Sequence, residues 1–155
     1  MAVRAPAVAA SGARANAADV NQWSHGWVGY QPVTVAQNIP DSETNITNLL
    51  VTPTLVAGRR YKVSARLRLN PNAAPIDCSA LLYADAVLLG ASTVRAAVSP
   101  QVLHLQLLAV FDAAASGAVT FKVTGQCTTP GQSYAANGNA DDKSIILVED
   151  VGTTV

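Results

Sequence analysis

Charge, aromatic rings and sulfur are all scarce in this chain. Of 155 residues only 13% are charged and 5% aromatic, with two cysteines, one methionine and two histidines. A typical domain carries about 25% charged residues. Ten basic side chains balance ten acidic ones, so the basic excess of a nucleic-acid binder is missing. Long hydrophobic runs are missing too. The longest apolar stretch, Val102 to Phe111, is interrupted by His104 and Gln106 and falls short of the roughly 20 residues a spanning helix needs. Two cysteines make no disulfide framework, and Cys78 and Cys127 fit no zinc spacing. They would pair with each other only if their strands adjoin.

Apolar residues, in contrast, are plentiful. They make up 50% of the chain, with a mean hydropathy of +0.24, so disorder is excluded. An apolar, weakly charged chain that spans no membrane is expected to hide part of its surface in an oligomer. The opening residues have no continuous apolar segment after the first charge, because Pro6, Ser11, Gly12 and Arg14 interrupt it. They read as an extended arm rather than a signal peptide. Asn16 can cap one short helical turn through Asn21, and Gly26 ends the segment. Trp23 and Trp27 stand close together beside small residues, as anchors into a partner surface would.

Beyond the arm, period two dominates. In Arg59 to Leu69, Arg60, Lys62, Ser64, Arg66 and Arg68 share one parity, and Tyr61, Val63, Ala65, Leu67 and Leu69 the other. This is a half-buried strand with a basic outer face. Val119 to Thr128 repeats the pattern. In Val102 to Phe111 one face is wholly apolar and the other mixed, as expected of a strand partly covered by another subunit. Leu103, His104, Leu108 and Val110 are therefore the candidate subunit interface. Further strands are expected at Val28–Ala36, Asn48–Val56 (with Pro53 at an edge or bulge), Asp77–Ala84, Val87–Arg95 and Ser144–Glu149. Asp85-Ala86 suits a tight hairpin. The Gly- and Asn-rich stretch Gly131–Asp142 reads as a long exposed loop. About eight strands with short connections predict an all-β fold, an antiparallel jelly-roll-like sandwich over residues 28–155 behind an N-terminal arm, residues 1–27.

Chemistry is harder to find. No nucleophile elbow or phosphate loop occurs. A Cys–His pair between His104 and either cysteine is conceivable, but both thiols fall on apolar faces, where they are inert. Asp141 and Asp142 with Asn137 and Asn139 could offer oxygens to calcium, without EF-hand spacing; such loops are ordinarily just solvated. The basic stripe (Arg59, Arg60, Lys62, Arg66 and Arg68) suits a solvated outer strand face or an acidic protein partner better than nucleic acid. No catalytic residue, metal or cofactor is expected.

Several segments, in order, resemble small virion proteins from tailed phages of actinobacteria. They are Ala17–Trp23 with Gly26, Gly29-Tyr30, Thr34 and Gln37; Val56–Tyr61; Gly117–Val123; and Ile145–Gly152. The resemblance implies a jelly-roll-like, often trimeric domain of the head-decoration, head-fibre or minor tail type, with no catalytic residues. On that basis the chain is expected to be a capsid decoration protein. It would be made in the bacterial host cytoplasm and displayed on the capsid exterior. The major capsid protein would be its partner through Arg14, Val20, Trp23 and Trp27, and homotrimerisation would follow at the strand interface. The alternative is a minor tail or receptor-binding module whose loop 131–142 touches a host glycan or protein. Neither reading involves membrane or nucleic acid.

Overall fold

The computed structural model describes residues 26–33, 35–98, 101–137 and 142–154. Among them every regular element is a strand. In chain order these are β1 (Trp27–Pro32), β2 (Gln37–Ile39), β3 (Thr44–Val51), β4 (Thr54–Leu55), β5 (Arg59–Pro71), β6 (Ile76–Ala84), β7 (Val87–Ala96), β8 (Leu103–Asp112), β9 (Gly117–Ala118), β10 (Phe121–Cys127), β11 (Tyr134–Asn137) and β12 (Ile145–Thr153). The expected helical turn, together with Arg14, Val20 and Trp23, lies outside the described residues.

Two antiparallel sheets face each other. One runs β1-β12-β5 with β8 on the far side of β5, and β11 then β2 continue it where β12 stops; the other runs β3-β10-β6-β7. Apart from the β6–β7 hairpin, which stays in the smaller sheet, the eight long strands alternate between sheets, the order of a jelly roll. The small β4–β9 pair closes one end.

Alternation explains why these segments are strands. On β5, Tyr61, Val63, Ala65, Leu67 and Leu69 are buried between the sheets, as are Leu103, Leu105 and Leu107 on β8 and Phe121, Val123 and Cys127 on β10. Phe111 meets Phe121 edge-on across the sandwich, with centroids 5.4 Å apart, a favoured geometry for ring quadrupoles.

Strand β3 departs from strict alternation. Ile46 and Leu49 are three residues apart, yet both are buried. Asn48, with φ 64°, sits at the irregularity where the β3–β10 register shifts. Asparagine tolerates the left-handed region. Here β3 advances five positions, Asn45 to Leu50, against two on β10, Lys122 to Thr124, and this odd surplus resets the parity so that both side chains reach the core.

Three expectations change. The strand expected over Val28–Ala36 stops at Pro32, and a separate β2 follows. The strand expected over Asn48–Val56 begins earlier, at Thr44, and Pro53 separates it from β4. The expected loop Gly131–Asp142 is partly a strand. Tyr134, Ala135 and Ala136 pair with β2 on one side and β5 on the other. The Tyr134 ring is fully buried, and its hydroxyl donates to the Ser79 carbonyl at 2.7 Å. That hydroxyl stands where a β-carbon on Gly125 would be; only glycine leaves the space.

Candidate functional site: the outer face of the larger sheet

The exposed face of β1, β12, β5 and β8 gathers most of the residues singled out by the sequence. Strand register lays them out in rows. Trp27, Glu149, Lys62 and Val110 form one row, Tyr30, Leu147, Ser64 and Leu108 the next, and Pro32, Ile145, Arg66 and Gln106 a third.

Every basic side chain in the stripe has an acidic partner on a neighbouring segment. Arg60 makes a two-pronged pair with Asp112, at 2.7 and 2.8 Å. Lys62 meets Glu149 at 2.6 Å. Arg66 and Arg68 converge on Asp142 at 3.2 and 3.4 Å, and His104 approaches the same carboxylate at 3.4 Å. The hydrogen bonds from Arg60 hold the Asp112 carboxyl below the ordinary aspartate range, and the same bonds raise Arg60. The stripe is therefore a face whose charges are spent on one another, the solvated reading, and it projects little field. Arg59 does not belong to it. Its parity turns it to the end of the core, where its guanidinium donates through two nitrogens to the buried Asp150, raising the Arg59 pKa.

Exposed apolar side chains sit at both edges of this face, Leu108 and Val110 on β8 and Trp27 and Tyr30 on β1, with the Lys62–Glu149 ion pair, Ser64 and Leu147 between them. Leu108 is 68% exposed, Val110 59%, Trp27 68% and Tyr30 45%. Trp27 is the first residue of β1 rather than part of the preceding arm. Its ring stacks on Tyr30 with centroids 5.5 Å apart and planes 17° from parallel. Of the four residues expected at a subunit interface, His104, Leu108 and Val110 point outward. Leu103 does not. Its parity places it in the chain's own core, 7% exposed, so it contributes to the sandwich and not to a surface. Tyr30, Ile145 and Leu147 belong to the same face and were missed, because short strands with mixed neighbours give no clear periodicity until the pairing is known.

The conceivable catalytic pairs do not assemble. Cys78 and Cys127 are buried free thiols on the smaller sheet, while His104 is on the outer face of the larger one. Burial pushes the Cys78 thiol up to about 12, with Cys127 and Asp77 adding to the effect, so it is not a nucleophile at neutral pH. For calcium, Asn139 and Asp141 lie outside the described residues, and Asp142 is committed to two arginines and a histidine. Among the described residues no group of His, Cys, Asp and Glu could hold a metal ion. No helix among them is long and apolar enough to cross a membrane.

On the opposite sheet an open cleft of about 410 Å³ is lined by residues including Glu43, Tyr83, Asp85 and Lys122. Its polar groups are mutually engaged. Glu43 accepts from the hydroxyls of Tyr83 (2.9 Å) and Thr124 (2.7 Å), and the Lys122 ammonium lies 5.6 Å from the Tyr83 ring centre. The bond to Glu43 raises the Tyr83 pKa. Nothing there pairs a nucleophile with a base.

Neither a family model nor a curated protein matches the chain. Solved structures resemble it to differing degrees. Eiger TNF from S. frugiperda superposes with a TM-score of 0.55 at 10% identity, over 83% of this chain and 95% of that one. The CBM22-1 xylan-binding domain of Paenibacillus barcinonensis Xyn10C matches at a TM-score of 0.38 and 8% identity, over 81% of this chain and 88% of that one. At 10% identity the likeness to Eiger TNF concerns the fold, an all-β jelly-roll sandwich, and nothing more.

Proposed function

We propose that this chain is a structural virion protein that decorates a phage capsid. In this reading it trimerises through the outer face of the larger sheet and docks on the major capsid protein through Arg14, Val20, Trp23 and Trp27. The observation that carries it is two exposed apolar pairs beside ion pairs that are already closed, Leu108 and Val110 on β8 for the trimer and Trp27 and Tyr30 on β1 on the docking side. Large apolar side chains grouped on one face mark an interaction surface. A partner must offer apolar surface and needs no charge, which suits a second copy of a chain with zero net charge and disfavours a polyanion. The resemblance of its segment order to actinobacteriophage virion proteins is in keeping with the same reading.

The mechanism is cementing. Contacts across neighbouring capsid subunits oppose the outward pressure of packaged DNA, and a symmetric trimer turns modest single contacts into a strong multivalent one. Placement on the capsid exterior follows.

Native mass spectrometry of the wild type and of a Leu108→Glu/Val110→Glu variant tests self-association; a trimer that becomes a folded monomer is the expected result. A wild-type monomer would overturn it. Copy number per particle, with and without the residues before Asn21, tests the location. Hundreds of copies, lost on deletion, are expected. A handful would instead favour a minor tail or receptor-binding module.

A further inference from the structure

We propose that Cys78 and Cys127 are a covalent staple site, closing into a cross-strand disulfide between the two central strands of the smaller sheet. The two residues are direct partners in the β6–β10 ladder. Adjacent to them, the Thr128 amide donates to the Asp77 carbonyl at 3.0 Å, so Asp77–Thr128 is the hydrogen-bonded pair. Antiparallel ladders alternate, which makes Cys78–Cys127 a non-hydrogen-bonded pair, whose α-carbons approach to about 4.5 Å. Disulfides need about 4.4–6.8 Å. Both side chains point into the sandwich and are 0% exposed. Two opposed thiols on one face at the closer type of ladder position therefore meet the backbone requirement without strand movement.

The oxidant is a low-molecular-weight disulfide such as oxidised glutathione. One cysteine thiolate attacks it, forming a mixed disulfide and releasing one reduced glutathione. The second thiolate then attacks the protein sulfur of that mixed disulfide and releases another. The protein loses two electrons and two protons, and the glutathione disulfide takes them up. Because both sulfurs are sealed in the core, with β6 and β10 flanked by β7 and β3, exchange requires opening of the sheet. The bond forms during folding or on unfolding, and once made it is shielded from reductant by the same packing.

The full chain is unfolded with reductant and refolded in a glutathione redox buffer. It is then denatured with an alkylating agent and weighed intact. The expected product is lighter than the reduced chain by the two lost hydrogens and takes up no alkyl group. It also unfolds at higher urea than the reduced protein. Cys78→Ala and Cys127→Ala, each keeping one thiol, are expected to fold, to take up one alkyl group and to show no such gain. Refolded wild type that still takes up two alkyl groups would overturn the proposal, and so would one carrying two glutathiones.

Discussion

The hydroxyl of Tyr134 on the larger sheet donates to the backbone carbonyl of Ser79 on the smaller one, 2.7 Å away, directly over Gly125. Burial raises the phenol's pKa well above the ordinary tyrosine value, so the group is a donor at any working pH. Tyr134→Phe is expected to destabilise the fold by about 1 kcal/mol, because one buried hydrogen bond is lost while the Ser79 carbonyl keeps its place in the ladder opposite Gln126. Gly125→Ala should cost a similar amount through overpacking. In the double variant the two costs should sum to less than their total, since removing the hydroxyl frees the space the methyl needs. Urea denaturation of the three variants measures this; strict additivity would mean that the close approach is not what constrains Gly125.

Arg59 and Asp150 form the least exposed ion pair among the described residues. Asp150 also accepts from the Gly152 amide at 3.0 Å, so the carboxylate organises the bulged end of β12. Asp150→Asn is expected to lower stability by about 2 kcal/mol. Arg59→Lys should not behave as wild type, because an ammonium cannot reproduce the two-pronged contact. Thermal melts of both variants check the expectation.

Asp112, held down by Arg60, titrates below the usual aspartate range. A carboxyl with a lowered folded pKa contributes stability above its unfolded value, and the contribution disappears as pH falls through the folded one. The pair is exposed, so its effect on the fold is small and salt-sensitive. Carboxyl-carbon NMR should place the Asp112 midpoint below that of a peptide aspartate, and Arg60→Gln should return it to the ordinary range.

Parity on β8 gives a sharper contrast. Leu105 is buried and Leu108 exposed. Leu105→Ser should cost several kcal/mol by emptying a core site and burying a hydroxyl. Leu108→Ser should change the stability of the isolated subunit by about 0.5 kcal/mol or less. Equal losses would show that β8 is covered on both faces.

How much of this was legible beforehand follows from where the information resides. The run Arg59–Leu69 carries its own periodicity, so its buried and exposed faces could be assigned without a partner. The same held for the inward leucines of β8, although not for the role of Leu103. Strand β11 was invisible because Tyr134 is followed by two alanines in a glycine- and asparagine-rich stretch; what makes it a strand is the ladder supplied by β2 and β5, far away in sequence. The parity reset at Asn48 was hidden for a similar reason, since a bulge is defined only against the opposite strand. The meaning of the basic stripe was likewise non-local. Its acidic partners sit on β8, on β12 and at Asp142, and their absence from the local sequence made the stripe look unpaired.

Strand β12 lies between β1 and β5, and β1 has no other ladder partner among the described residues. A ribosome therefore releases the first strand of this sandwich long before its neighbour exists. The larger sheet can close only after residue 153 has left the exit tunnel, so its assembly is dominated by distant pairings, which slows it. Until then β1, with its exposed tryptophan and tyrosine, is an unpaired sticky edge on the nascent chain. Shortening the protein from its C-terminal side would leave that edge permanently open, and the expected result is aggregation rather than a smaller folded domain.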